Sequence, residues 1–148
     1  EEICKLTHYD PRCIDSCKIH TTILVSILNN EYLELDELLE KSKLIDIRTK
    51  EYIFEHLDKD YKSFNLDDSS SLGYTYKALL CALWGYYYAE SFENGLFKII
   101  NEGGDADTNG CVVGTVLGAK FFNEVIESKL LDPLDINKLN QNIEKLIK

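Results

Sequence analysis

Between residues 103 and 119 the chain reads GGDADTNGCVVGTVLGA. Gly110, Gly114 and Gly118 recur every fourth residue within an apolar run. That spacing places them on one face of an α-helix. Glycine inside a helix costs about 1 kcal/mol relative to alanine. Three on one face therefore point to close approach by another backbone, by a ligand, or by both. The spacing predicts a helix from about Asp107 to Glu127, with Gly103-Gly104 ending the helix before it, because glycine accepts the left-handed backbone of a helix terminus.

The rest of the chain reads as helices with short breaks. Asp10-Pro11 is an N-cap followed by a first-turn proline. Apolar residues at 14, 17, 24, 25, 27 and 28 then predict a helix that Asn29-Asn30 ends. Tyr32 to Leu44 reads as an amphipathic surface helix and Thr49 to Leu57 as a shorter one. The polar string from Asn65 to Ser71 reads as a loop. Leu72 to Glu90 is the most apolar helix, and Ser91 caps the next, which runs to about Asn101. Asp132-Pro133 marks a break before a last amphipathic helix from Asp135 to Ile147. Hairpin signals and internal repeats are absent. The expected fold class is all-α, a compact multi-helix bundle.

Composition narrows the function classes. With 148 residues and 45% hydrophobic content, the chain has the material for one core, and 2 prolines and 8 glycines exclude low complexity. Sixteen basic against 26 acidic residues leave a net charge of −10. That balance argues against nonspecific nucleic-acid binding and against docking on anionic lipid. No apolar run is long enough to span a membrane, and Glu1 to Leu6 lack the apolar stretch of a signal peptide. Five cysteines, an odd number with no CxxC pair, fit a reducing, cytoplasmic compartment. Cys13, Cys17 and His20 share one helical face. Small buried cysteines are the simpler reading of that face, and a metal site would need a fourth ligand. No methionine occurs, so Glu1 is expected to be an internal residue, with more of the protein in another chain or segment.

The chemistry concentrates in Gly103 to Gly110. Asp105, Asp107 and Thr108 offer several hard oxygens within one turn, which suit Mg²⁺, Ca²⁺ or Mn²⁺ better than zinc. The helix that follows aims its first amides at the same spot, a natural anion site. Asp105, Asp107, Asn109 and Gly110 match the start of a calcium-binding EF-hand loop, but the position of its bidentate glutamate is Val116. The EF-hand is therefore rejected. The simplest competing reading is that the two acids cap a helix.

The ordered set of blocks is more specific. Gly103 to Ala119 resembles the C-terminal signature of the ADP-ribosylglycohydrolase family, a Gly-Gly-Asp-x-Asp-Thr turn leading into a helix of small residues. Leu72-Gly73-Tyr74 through Ala78-Leu79 and Ala82-Leu83-Trp84, then Ser91-Phe92-Glu93, resemble the family's preceding helices. Leu6-Thr7-His8-Tyr9-Asp10-Pro11-Arg12-Cys13 resembles its Thr-His segment. The resemblance implies an all-α hydrolase that uses two Mg²⁺ ions, or Mn²⁺ in their place, to cut the bond joining ADP-ribose to a protein side chain or a related ADP-ribose compound. It implies that Asp105, Asp107 and Thr108 are metal ligands and that His8, Gly103 and Gly104 face the substrate.

The family's other metal motif, a Ser/Thr-Asp-Asp-Thr string in its N-terminal half, has no counterpart here. Leu66-Asp67-Asp68-Ser69 has adjacent acids but reads as a solvated loop. Residues 1–148 are thus expected to be the C-terminal portion of one domain, with catalytic groups and the remaining ligands supplied by an N-terminal half. The apolar helical faces are expected to be covered by that half. A non-catalytic ADP-ribose-binding or structural relative is the alternative, and a regulatory half that completes a site with another chain is a third. Trp84 and Tyr86 to Tyr88 are read as core aromatics, with adenine stacking as the alternative.

Overall fold

The computed structural model describes residues 1–124 and 136–147. Its helices are α1 (Glu2–Lys5), α2 (Pro11–Leu28), α3 (Leu35–Ser42), α4 (Ile47–His56), α5 (Thr75–Tyr88), α6 (Phe92–Ile100), α7 (Ala106–Lys120) and α8 (Ile136–Ile147). Two single 3-10 turns, Tyr61–Phe64 and Ser69–Ser71, lie between α4 and α5. No strand occurs among the described residues. The all-α expectation holds.

The centre of the bundle is α5, which buries residues all round its circumference, from Tyr76 to Tyr86. A helix apolar on every side belongs inside. It packs against α2 and α7, and α6 covers the far side of α7. Ile19, Ile23, Leu38, Ile53 and Leu83 form one half of the core; Leu80, Cys81, Trp84, Val113 and Leu117 form the other. Each buried large aliphatic side chain contributes roughly 1.5–3 kcal/mol. The inward face of α2 carries Ile14, Ile19, Ile23 and Ser26, whereas Val25 and Leu28 are exposed. Of the apolar positions at the end of α2, Leu24 and Ile27 pack against the core while Val25 and Leu28 face outward.

Side-chain caps set several boundaries. Asp10, Asp46 and Ser91 each accept a backbone N–H of the helix they precede, at 2.8, 3.0 and 3.3 Å. Helix α3 starts three residues later than expected. The Leu33 backbone is taken instead by tyrosines: its N–H donates to Tyr86 Oη (2.8 Å) and its carbonyl accepts from Tyr87 Oη (3.1 Å). Left-handed Lys43 ends α3. Helix α5 starts at Thr75 rather than Leu72, since Gly73 has φ +71. It ends at Tyr88, where Lys120 Nζ donates to the carbonyls of Gly85, Tyr86 and Ala89.

Helix α7 was expected to reach Glu127 but stops at Lys120, and residues 121–124 form turns. The rest of that expectation, and the Asp132-Pro133 break, lie outside the described residues. Helix α8 matches the expected last helix from Ile136 onward. Fully buried Asp15 ties α2 to the start of α4. Its carboxylate accepts from the N–H groups of Ile45 and Asp46 and from Thr49 Oγ1, and Thr49 shares a hydrogen bond with Tyr76 Oη.

Candidate functional site

The turn into α7 is shaped by Gly103 and Gly104, with φ +74 and +63. That left-handed pair ends α6 and redirects the chain. A Cβ on Gly104 would stand 2.0 Å from the Leu66 carbonyl oxygen, so only glycine fits there. Gly103 has nothing near its missing side chain. The turn therefore sits on the loop containing Asp67 and Asp68. Both acids are exposed, and Asp68 accepts from the Ser70 amide and from the Ser70 and Ser71 hydroxyls, which hold its carboxyl down at about 2. This is the solvated loop expected from its polarity.

The first turn of α7 opens onto a cleft of about 390 Å³, bounded by the segment joining α1 to α2 and by the start of α5. His8, Asp105 and Thr108 all line it. His8 thus meets Asp105 and Thr108, two residues of one helical turn far from it in sequence, at one place. Asp105 occupies the N-cap position of α7, yet its side chain makes no cap hydrogen bond. Its Oδ2 lies 3.8 Å from where a Cβ on Gly73 would be, an ordinary contact distance, so glycine at 73 answers to its φ of +71 and not to crowding by the carboxylate. Asp107 is exposed in the first turn, where the helix dipole favours a negative charge. Among the described residues, the side chains of Asp105, Asp107 and Thr108 have no hydrogen-bond or ion-pair partner. The capping explanation of Asp105 fails on this geometry.

These are hard oxygen donors with free lone pairs, a donor set that fits Mg²⁺ or Mn²⁺. They are also an incomplete set. Among the described residues no cluster of three or more acidic, histidine or cysteine side chains can hold a metal ion.

His8 is exposed, and its Nδ1 shares a hydrogen bond with Thr7 Oγ1 at 2.9 Å. Arg12 and Tyr74 complete this wall of the cleft. The Arg12 guanidinium grips the Asp10 carboxylate through Nε (2.9 Å) and Nη2 (2.7 Å) and lies 5.9 Å from the Tyr74 ring centroid. Its charge and hydrogen bonds hold the Asp10 carboxyl down at about 2. The sequence reading assigned no role to Arg12, Gly73 or Tyr74. Arg12 and Gly73-Tyr74 stood inside the quoted blocks, but their convergence comes from packing.

Other candidates resolve differently. His20 bonds α7 through Nε2, to the Val112 carbonyl (3.2 Å) and Thr115 Oγ1 (2.9 Å). A carbonyl only accepts, so Nε2 carries the hydrogen. The buried-cysteine reading of that face needs correcting: Cys17 is exposed and Cys13 half-buried, while Cys81 is buried in the core. The glycine stripe of α7 faces α6. A Cβ on Gly110 would come within 2.8 Å of Ile100 Cγ2, while Gly114 and Gly118 stand 3.8 and 3.9 Å from Leu96 and Phe92. Trp84 and Tyr86 are core residues, Trp84 Nε1 donating to the Lys59 carbonyl.

Comparison with known proteins supplies the family. The ADP-ribosylglycohydrolase family model matches residues 1–148, and the chain belongs to that family. Similar relatives include the ADP-ribosyl-dinitrogen reductase glycohydrolase of Rhodospirillum rubrum, 27% identical over 95 residues, or 64% of this chain and 31% of that protein. An uncharacterized protein of Archaeoglobus fulgidus is 30% identical over 88 residues, covering 60% of this chain and 25% of its own length. The ADP-ribosylarginine hydrolase of Serratia proteamaculans is 29% identical over 75 residues, covering 51% and 20%. The matched stretches thus span less than a third of each relative. No solved structure matches the chain. No helix among the described residues is long and apolar enough to cross a membrane.

Proposed function

We propose that this chain is the C-terminal portion of a Mg²⁺-dependent ADP-ribosyl hydrolase that cuts the glycosidic bond between ADP-ribose and a protein side chain or a related ADP-ribose compound. Asp105, Asp107 and Thr108 hold one side of a two-metal site, which Mn²⁺ can also fill. The catalytic groups and remaining ligands come from the N-terminal half of the fold. The observation that carries this reading is the meeting of uncommitted Asp105 and Thr108 with His8 in one cleft at the N-terminus of α7.

Each group has a physical task. Breaking the anomeric bond passes through an oxocarbenium-like state. Bound metals supply orientation of the ribose hydroxyls and activation of water. The first amides of α7 favour an anion such as the pyrophosphate. Arg12, already neutralised in part by Asp10, adds positive charge on the same wall. His8, Gly103 and Gly104 face the substrate, with the His8 ring oriented by Thr7.

A second reading is a non-catalytic ADP-ribose binder. The incomplete metal set among the described residues favours it. One experiment separates the two. Native and denatured mass spectrometry first define the assembly in which the chain exists. ADP-ribose release from a mono-ADP-ribosylated protein is then followed in that assembly with Mg²⁺ and with a chelator. The expected result is Mg²⁺-dependent release that Asp107→Ala lowers by at least the roughly 10–100-fold seen for partners of metal ligands. ADP-ribose binding without release overturns the hydrolase reading in favour of the binder, and release untouched by Asp107→Ala overturns the metal assignment.

A further inference from the structure

Among the described residues, Arg12 is the one arginine on the lining of the cleft before α7, which has no lysine, and Asp105 is its one carboxylate. Arg12 is therefore the fixed positive charge that an anion entering the cleft meets. A guanidinium carries five N–H donors in a planar fork. Asp10 takes one on Nε (2.9 Å) and one on Nη2 (2.7 Å), the side-on edge of that fork. The end-on edge, between Nη1 and Nη2, keeps a spacing that matches two oxygens of a phosphate. The Arg12 side chain is 37% exposed, so a ligand can reach it, and Asp10 holds it in one orientation before any ligand arrives. Little side-chain freedom is then lost on binding. The simplest alternative is that Arg12 only completes a helix cap. The chain contains that cap twice. Asp46 caps α4, and Arg48 returns to its carboxylate as Arg12 returns to Asp10, with Nε at 3.0 Å. Arg48 does not line the cleft. A capping role is thus common to both arginines, and an anion site belongs to Arg12 alone.

We propose that Arg12 is the specificity-determining residue for the phosphate part of the ligand, gripping it with the end-on edge of its guanidinium while Asp10 keeps the side-on edge fixed. That the phosphate belongs to the pyrophosphate of ADP-ribose rests on the function proposed above; the grip itself rests on the geometry of Asp10, Arg12 and the cleft. With Asp10 paired to it, Arg12 attracts anions weakly at long range. Recognition comes from two parallel hydrogen bonds at contact, which reward a phosphate over an anion that cannot bridge the fork. A lysine in its place would offer a point charge and no fork. The grip needs no metal ion, which sets it apart from the task of Asp105, Asp107 and Thr108.

The test titrates ADP-ribose and inorganic pyrophosphate, each with a chelator present, into the assembly that mass spectrometry defines, and follows the heat of binding. Arg12→Gln is expected to weaken both ligands roughly 10–100-fold, the loss of a charged, bidentate contact. Arg12→Lys keeps the charge and is expected to fall between wild type and Arg12→Gln, so it carries the test should the glutamine variant not fold. Arg48→Gln, which breaks the same cap pair away from the cleft, is expected to bind both ligands much as wild type does. Pyrophosphate binding that depends on Arg12, with no binding of ADP-ribose, supports the grip and overturns the ADP-ribose reading. ADP-ribose binding that Arg12→Gln and Arg12→Lys leave unchanged overturns the grip and leaves the hydrolase reading standing. Equal losses in Arg12→Gln and Arg48→Gln overturn the grip in favour of general charge, and so does a wild type that binds neither ligand without metal.

Discussion

At the scale of single residues, Gly110 and Gly114 are indistinguishable in the sequence pattern and different in the fold. A methyl group at 110 drives into Ile100, while one at 114 meets Leu96 at ordinary contact distance. Gly110→Ala is expected to destabilise the fold by about 1–3 kcal/mol through overpacking. Gly114→Ala is expected to be neutral or to stabilise by up to about 1 kcal/mol, since alanine is the better helix former. Urea denaturation of both variants checks the contrast, and equal effects would refute this account of the stripe. The spacing alone announced close helix packing. It could not say which glycine the packing requires, because that depends on where Ile100 and Leu96 of α6 fall. Gly104 is a similar case: its need for glycine comes from the Leu66 carbonyl, which no local pattern reveals.

At the scale of elements, polar side chains reaching across the bundle join the helices. His20 of α2 is tied to α7, and burial pushes its imidazole below the ordinary value of 6.5, with the Val112 carbonyl pulling weakly the other way. As pH falls below 6.5, the unfolded chain takes up a proton that the folded chain resists. Its contribution to stability is therefore full above that value and shrinks as pH drops. The urea midpoint is expected to decline between pH 7.5 and 5.5, and His20→Gln to flatten that decline. A decline of the same size in the variant would assign the dependence elsewhere. Asp10 and Ser91 were legible as caps, since a cap needs only its own helix, whereas the helix capped by Asp46 was expected to start at Thr49 and starts at Ile47. The late start of α3 was not, because Tyr86 and Tyr87, more than fifty positions away, take the Leu33 backbone.

At the scale of the whole molecule, several large apolar side chains remain exposed, among them Ile3, Leu6, Tyr9, Val25 and Leu28. Those near the N-terminus flank the cleft segment, where the proposed second half would dock. Helix α8 is separate in character. Leu139, Ile143 and Leu146 are 50%, 45% and 86% exposed, so α8 adds little to the core. Removing residues from Ile136 onward is expected to change the stability of the remaining chain by no more than about 0.5 kcal/mol. A large loss in thermal or urea denaturation would mean that α8 packs on the bundle. In acid, Asp10 and Asp68 add a further dependence. Both carboxyls lie at about 2 in the fold, against the ordinary 3.8, so their stabilisation is complete above 3.8 and is lost as pH falls towards 2.

The sequence by itself determined the helical class, the caps Asp10 and Ser91, the glycine turn before α7 and the acid-rich first turn that resembles a family signature. All of these depend on neighbours within a turn or two, where periodicity and backbone preference act. Tertiary structure alone decided that His8 meets Asp105 and Thr108, that Arg12 and Tyr74 share their cleft, and that Asp105 is left without a cap bond. Those outcomes depend on which helix faces come together, and burial of the α5 core sets that arrangement from contacts distant along the chain.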